Sequence, residues 1–529
     1  MSASDVAMLM RPASGLTSML SRTVQVNGKG IATIFEGRER TWSEFADRVA
    51  RMASVLNALG VRAGDRVAVL GMTSDRFAEL LAAIPRSGGI VVPLNWRWSE
   101  AELQDAIQDC TPTVIFIDRR MEDAGRRIAG ALPSMPVVAL DEGMSGLPFY
   151  EALLADHAPG DDAGRAGNDV FQFGYTGGTT GRSKAALITH RNVITEAVIC
   201  FSEGFLRDDS VFLVNGPMFH AAGTWPTVSL MGSGGTAVLM SQLEPAEALK
   251  LIARHGVTES LLVPTVIQML IEHPDFATTD TSSIRTVLYG AAPITETLLG
   301  RALEAFAGAS LIQCYGMTEL SPVCAVLHDR FLRGEGREKG RYRAAGRAMT
   351  GIQIRIIDED DREVPRGEVG EIVVRSETMM LGYWKRPEET AEALRGGWMH
   401  TGDGGRMDED GFIYIVDRVK DMIISGGENV YSTEVENALG SHPAVRQVVV
   451  IGIPDAKWGE AVHAIVRLHD GVSITHDDLI THTRALIASY KIPRSVSFWE
   501  GEFPMSPANK ILKRELRRPY WEGRERTIV

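Results

Sequence analysis

Tyr175-Thr176-Gly177-Gly178-Thr179-Thr180-Gly181-Arg182-Ser183-Lys184 is the stretch on which the reading of this chain turns. Ahead of it, Asp169-Val170-Phe171-Gln172-Phe173 has the apolar and aromatic make-up of a short strand. Behind it, Thr189-His190-Arg191-Asn192 opens an apolar stretch that reads as a helix. The three glycines let backbone N–H groups approach an anion closely, and the three threonine hydroxyls and Lys184 add donors. A phosphate chain is the anion that best matches so many donors. The spacing is not that of a Walker A loop, in which Gly-Lys-Ser/Thr follows four spacer residues. Here Arg182 and Ser183 separate Gly181 from Lys184. Taken alone, these ten residues read equally well as a flexible linker rich in Gly and Thr.

The rest of the composition narrows the choice. A chain of 529 residues is too long for one ordinary domain, so two or more are expected. A net charge of −13 argues against a general nucleic-acid binder. Cys110, Cys200, Cys314 and Cys324 are scattered without metal-ligand spacing, which predicts buried free thiols in a reducing compartment. The first 21 residues lack a signal-type apolar core, and no stretch reaches transmembrane length. The expectation is a soluble cytoplasmic protein with no integral membrane segment.

Toward the N-terminus, Thr41 and Glu44 form a capping box ahead of Phe45, Val49, Met52, Leu56 and Leu59, one apolar helical face that Gly60 closes. Strands are predicted at 65–70, 89–94 and 113–117, with helices between them, one through 77–84 and one capped by Ser99 and Glu102. Such alternation argues for a largely parallel α/β sheet. Residues 151–168 read as a loop leading into the Gly/Thr stretch. Further strands are predicted at 211–214, 261–265, 286–289 and from 311, and a small β segment at 351–375. Beyond it, strands at 445–453 and 464–468 and a helix at 477–489 suggest a compact α+β module. The run Arg330 to Arg347 carries Arg330, Arg333, Arg337, Lys339, Arg341, Arg343 and Arg347. It reads first as a solvated loop, and alternatively as an attractor for coenzyme A phosphates or an anionic membrane.

The Gly/Thr stretch resembles the phosphate loop of the adenylate-forming superfamily, which includes acyl-CoA synthetases, luciferases and peptide-synthetase adenylation domains. That family usually has Ser at the position of Gly177, Pro at that of Ser183 and Gly at that of Ala185. The resemblance runs from about Thr41 to Leu516 with its motifs in the family's order. It implies a large N-terminal domain of several subdomains with parallel-rich sheets (1–417), bearing the ATP and acyl sites, and a small mobile α+β lid (418–529). It implies that Thr176, Gly177, Gly178, Thr179, Thr180, Gly181 and Lys184 hold the phosphates of ATP. Adenine would lie at Gly290-Ala291-Ala292-Pro293 and against Tyr315-Gly316-Met317. Thr318 would reach the α-phosphate, and Glu319 would hold Mg²⁺, a hard cation that prefers oxygen ligands. Asp403 would take the ribose, and Arg418 the ribose or phosphate.

In the same reading Lys420 is the hinge, and Gly426 and Gly427 line the passage for the thiol arm of coenzyme A. Lys510 is the adenylation lysine, with Asn509 where relatives carry glycine just before it. Pro217-Met218-Phe219-His220-Ala221-Ala222-Gly223 resembles an acyl-pocket motif, so His220, Gly223, Thr224 and Trp225 are the pocket candidates, with His220 counted as catalytic. Amino-acid-activating relatives carry Asp at the position of His220, so an α-amino acid substrate is disfavoured. The expected function is an ATP- and Mg²⁺-dependent ligase that activates an apolar carboxylic acid, a medium- to long-chain fatty acid favoured, as acyl-AMP and passes it to coenzyme A. The alternatives are an aryl- or alicyclic-acid ligase, an enzyme that loads a carrier protein, and a non-catalytic binder of acyl-adenylates. A homodimer is among the assemblies the sequence leaves open.

Overall fold

The computed structural model describes residues 15–144, 146–176, 183–418, 423–425, 428–455, 457–505 and 511–522. The described strands form four sheets. A nine-stranded sheet carries Val211–Val214, Glu259–Leu262, Thr286–Gly290 and Ser310–Tyr315 in parallel at its centre. A six-stranded sheet runs from Val137–Ala139 through Arg66–Leu70 and Ile90–Pro93 to Val170–Thr176, all parallel, and ends on the antiparallel strand Lys184–Thr189. A four-stranded antiparallel sheet spans Gln353–Ile357 to Ile413–Arg418. Among the described residues, the strands from Ile423 onward pair only with one another, in a five-stranded sheet built around Val445–Asp455 and Gly459–Leu468. This is the expected parallel-rich α/β architecture with a small C-terminal domain.

Local signals in the sequence explain much of this. Helix Trp42–Ala58 starts on the Thr41/Glu44 box and buries Phe45, Val49, Met52 and Leu56, and Gly60 follows with φ +96°. The Ser99/Glu102 box opens helix Glu100–Cys110. One hydrophobic core passes through three sheets, taking Phe116 and Phe171 from the six-stranded sheet, Phe212 and Leu288 from the nine-stranded sheet, and Ile372 from the four-stranded sheet. Cys110, Cys200 and Cys324 are buried, Cys314 is half-buried, and all four are free thiols.

Two stretches differ from expectation. Residues 150–155 are helix Tyr150–Ala155 rather than loop, because Tyr150 is fully buried and donates to Glu79 at 2.8 Å. The strand predicted at 261–265 ends at Leu262, and Pro264 starts helix Pro264–Ile271, where its missing N–H and fixed φ suit the first helical turn.

Glu79, with none of its surface exposed, is the most deeply placed charge of this region. Arg48 grips both its oxygens at 2.7 and 3.1 Å and binds Glu151 at 2.8 and 2.9 Å, tying three helices together. Arg48→Met would leave Glu79 buried without its main partner. The expected loss is about 3–5 kcal/mol of unfolding free energy, measured by denaturant titration; a loss below ~1 kcal/mol would show that the network is not needed for the fold.

Candidate active site

Three loops meet at the carboxyl edge of the nine-stranded sheet. The parallel strands Val211–Val214, Thr286–Gly290 and Ser310–Tyr315 all end on this edge, and they lead into 215–220, 290–293 and 315–319. Open α/β sheets bind ligands outside the carboxyl ends of their strands. Close backbone packing makes two of the glycines here obligatory. A Cβ on Gly290 would lie 2.1 Å from the Cys314 carbonyl oxygen, and one on Gly316 would lie 2.1 Å from that of Pro322. Ala291 holds φ +66°, a conformation uncommon for a residue with a side chain.

Strand Val170–Thr176 and strand Lys184–Thr189 form a hairpin that sets Thr176 opposite Lys184 at its open end, with the Thr176 hydroxyl donating to the Lys184 carbonyl at 3.4 Å. The tip, holding Gly177, Gly178, Thr179, Thr180 and Gly181, lies outside the described residues. Thr318 sits directly on this hairpin: a Cβ on Gly174 would come within 2.5 Å of its methyl group. Glu319 is 4% exposed, and its Oε1 accepts from the Tyr383 hydroxyl at 2.8 Å. The Lys184 ammonium lies 5.3 Å from the centroid of the Tyr383 ring, within cation–π range. The structure thus brings together Thr176, Lys184, Thr318 and Glu319, four residues singled out from sequence.

Tyr383 is the member that sequence reasoning missed. Its only signal was an aromatic pair behind a glycine, Gly382-Tyr383-Trp384. The backbone explains its place. Residues 380–384 run along strand Lys184–Thr189, with Leu187 N–H donating to Gly382 O, Trp384 N–H to Ala185 O, and Met380 N–H to Glu319 O, all at 2.8–2.9 Å. Burial and the neighbouring Glu319 carboxylate push the Tyr383 hydroxyl well above its ordinary pKa. It therefore stays protonated and donates to Glu319.

Tyr315 is buried, and its hydroxyl donates to Asp403 Oδ2 at 2.8 Å. This links the residue expected at the base to the carboxylate expected at the ribose. Asp403 stands in register with Arg418 across strands Met399–Met407 and Ile413–Arg418. Only the backbone of Arg418 is described. Met317 is half-buried between Gly316 and the short helical turn Thr318–Leu320.

On the acyl side, His220 caps helix Ala221–Ser233, its Nδ1 accepting from Ala222 N–H at 3.2 Å. Gly223 packs against the incoming chain, since a Cβ there would meet Gly216 O and the Pro217 backbone at 2.6 Å. Thr224 donates to Met218 O at 2.7 Å. Trp225 is 7% exposed and meets Phe205 and Phe212 edge-on, with centroids 6.4 and 6.3 Å away. His220 to Trp225 therefore form one turn-and-helix unit. Trp225 belongs to the core behind it, apart from the phosphate-side residues.

Lys420, Gly426, Gly427 and Lys510 lie outside the described residues. Met505 and Ile511 pair across the segment that contains Lys510. Much of the Arg330–Arg347 run is paired with carboxylates, most of them outside the run. Arg333 pairs with Asp329 at 3.0 Å, Lys339 with Glu335 at 2.6 Å, Arg343 with Glu296 at 2.7 Å, and Arg341 with Asp408 and Asp410. Arg330, Arg337 and Arg347 lie over the rings of Phe331, Tyr342 and Phe412. The run is not one loop: it holds helix Gly334–Glu338 and the helical turn Arg341–Arg343.

Among the described residues no group of three or more His, Cys, Asp or Glu gathers to hold a metal ion. Glu319 alone still fits Mg²⁺, which keeps several waters and is commonly held by one or two carboxylates together with substrate phosphates. No described helix is long and apolar enough to cross a membrane.

Comparison with known proteins agrees with this geometry. The sequence matches the family described as AMP-binding enzyme over residues 20–384 and its C-terminal domain over residues 434–510. A feruloyl-CoA synthase of Amycolatopsis sp is 39% identical over 96% of this chain and 99% of its own length. A fatty acid–[acyl-carrier-protein] ligase of Streptomyces coeruleorubidus is 35% identical over 94% of this chain and 95% of its own. The structure of the anthranilate CoA ligase AuaEII with anthranoyl-AMP superposes with a TM-score of 0.89 at 25% identity, over 98% of this chain and 99% of that one. With Thr176, Lys184, Thr318 and Glu319 gathered where the six- and nine-stranded sheets meet and the family match spanning most of the chain, this protein belongs to the AMP-binding enzymes, the adenylate-forming ligases.

Proposed function

We propose that the acid activated here is a flat aryl acid on a short linker, rather than the medium- or long-chain fatty acid the sequence alone favoured. The reaction class is that of the family: an AMP-forming acid–thiol ligase that uses ATP, Mg²⁺ and coenzyme A and works through an acyl-adenylate. The observation that carries the substrate reading is the boxed indole of Trp225. It lies five residues into the unit that His220 opens, about 7.5 Å along a helix axis at 1.5 Å per residue. With Trp225 taken as the floor of the acyl pocket, one ring on a short linker suits that separation. A long hydrocarbon chain would have to lever Trp225 off Phe205 and Phe212, breaking close-packed aromatic contacts. The likeness to a feruloyl-CoA synthase supports this reading. The likeness to a fatty-acid carrier-protein ligase supports the second one, a fatty acyl group passed to a carrier thiol.

The residues take the following roles. The hairpin from Thr176 to Lys184, with Gly177, Gly178, Thr179, Thr180 and Gly181 at its tip, holds the β- and γ-phosphates. Thr318 and Lys510 meet the α-phosphate as the acid's carboxylate attacks it, and His220 borders the reacting carboxyl. Mg²⁺, when bound at Glu319, offsets phosphate charge. Tyr383 fixes the Glu319 carboxylate by its hydrogen bond. Gly290, Ala291, Ala292, Pro293, Gly316 and Met317 shape the base site, and Asp403, steadied by Tyr315, takes the ribose with Arg418. The boundary at 417/418 then separates this body from a lid that turns at Lys420. That motion withdraws Lys510 and brings Gly426 and Gly427 to the thiol arm of coenzyme A, because lysine and thiol arm need the same cleft in turn.

Three results are expected. In a panel of aryl, alicyclic and fatty acids scored by pyrophosphate release, kcat/KM is highest for aryl acids with a short linker. A clear preference for fatty acids of ten or more carbons would reverse the substrate reading. Tyr383→Phe lowers acid-dependent ATP–pyrophosphate exchange about tenfold, the worth of ~1.4 kcal/mol for one charge-assisted hydrogen bond, and raises the Mg²⁺ concentration needed for half-maximal rate; unchanged kinetics would remove Tyr383 from the site. Lys510→Ala abolishes adenylation yet still converts supplied acyl-AMP to the thioester. Equal loss of both half-reactions would contradict a role confined to the first.

A further inference from the structure

Strand Met399–Met407 does not run straight past its neighbour Val369–Arg375. His400 stands opposite Val373 and Gly404 opposite Glu371, so residues 401–403 occupy the place where the partner strand has Ile372 alone. Such a bulge bends a strand and re-aims a side chain, and bulges gather beside active sites. The side chain at the end of this one is Asp403, the carboxylate expected at the ribose, whose Oδ2 accepts from the Tyr315 hydroxyl at 2.8 Å. Gly402, in the middle of the bulge, has φ +69°, the left-handed region that favours glycine.

A bulge takes backbone N–H groups out of the ladder, and they need other acceptors. Two side chains supply them. Glu371 Oε1 accepts from the Gly402 N–H at 3.0 Å, and Oε2 of the same carboxylate meets His400 Nδ1 at 2.9 Å. The Thr401 hydroxyl accepts from the Asp403 N–H at 3.1 Å and donates to the Ile372 carbonyl at 2.7 Å, which closes the bulge onto the partner strand. Glu371 is anchored in turn. Arg395 reaches its Oε2 at 3.4 Å and holds both oxygens of Asp361 at 2.9–3.1 Å.

We propose that Glu371 and Thr401 are positioning residues for the ribose: by fixing the bulge at 401–403 they hold the Asp403 carboxylate where it accepts the two ribose hydroxyls, and so set a preference for a ribonucleotide. The proposal rests on the ribose role of Asp403 given above and adds the parts that aim it. Tyr315 fixes one oxygen of the carboxylate from the nine-stranded sheet, and the bulge fixes the backbone from which the carboxylate extends. Misplacing a recognition group by about 1 Å can cost on the order of 100-fold. A nucleotide that lacks the two hydroxyls has nothing to lose when Asp403 is misaimed, so the two kinds of nucleotide report on the aim separately.

The test is calorimetric titration of the full-length protein with the magnesium complexes of ATP and of 2′,3′-dideoxy-ATP, with no acid present. The wild-type protein is expected to bind ATP at least about thirtyfold more tightly, since hydrogen bonds to a charged group are the strong ones. Glu371→Ala should lower that ratio about tenfold by weakening ATP, with the Kd of the dideoxy nucleotide held within about threefold. Glu371→Gln, which keeps an acceptor for the Gly402 N–H, should retain the ratio within about threefold. Thr401→Val keeps the shape and removes the hydroxyl; it should behave as Glu371→Ala, and it decides the matter if Glu371→Ala fails to fold. Asp403→Ala separates the two layers of the argument. If the wild-type protein binds both nucleotides equally, or if Asp403→Ala keeps the preference for ATP, the ribose reading falls and the positioning roles with it. If Asp403→Ala abolishes the preference while Glu371→Ala and Thr401→Val keep it, or weaken both nucleotides by one common factor, only the positioning roles fall.

Discussion

The site depends on a backbone seam. Residues 380–384 hydrogen-bond to the edge strand Lys184–Thr189, and the same segment reaches the carbonyl of Glu319 through Met380 N–H. Without it, the antiparallel strand that returns from the phosphate-loop hairpin would be an open edge, and the contact of the Thr318 methyl with Gly174 would be left to hold Glu319 near Lys184. The seam joins the six-stranded and nine-stranded sheets where Lys184 of one and Glu319 of the other come together. Tyr383 converts that backbone contact into side-chain geometry, with its hydroxyl on Glu319 and its ring beneath the Lys184 ammonium. Electrostatic catalysis relies on groups held in place before charge develops. Here the holding is done mainly by amide hydrogen bonds.

Close approach is the second constraint, and it falls on glycine. Gly174 admits the methyl of Thr318, Gly290 admits the carbonyl of Cys314, and Gly316 admits that of Pro322. A methyl group at Gly174 would push the hairpin off Thr318, and one at Gly290 or Gly316 would collide with the backbone of the neighbouring strand or turn. Glycine costs backbone entropy within a strand, so these positions give up local stability for a tighter junction. The buried ion network around Glu79 ties helices Trp42–Ala58, Asp75–Ser87 and Tyr150–Ala155 together within the same body.

Much of this was legible in the sequence, though unevenly. The Thr41/Glu44 and Ser99/Glu102 boxes marked their helices to within a residue or two, because capping is a local interaction written in four consecutive positions. Thr176, Lys184, Thr318, Glu319 and Asp403 were singled out because each sits in a compact motif, and the structure brings the first four together. Tyr383 was not, since its importance comes from pairing with a strand some two hundred residues earlier, and no local pattern announces such a pairing. Helix Tyr150–Ala155 was missed because its decisive contact, Tyr150 with Glu79, is also long-range.

The two ends of the cleft obey different physics. At the phosphate end the ligand is the same for every acid, so charge and backbone donors suffice, and the requirements are strict. On the acyl side, by contrast, the ordered contacts are between side chains: behind His220, Trp225 packs against Phe205 and Phe212. Side chains on helices can be exchanged without moving a strand, whereas moving Glu319 or Lys184 would unfasten two sheets. That asymmetry accounts for how relatives named for ferulate, anthranilate and fatty acids can share one architecture over nearly their whole length.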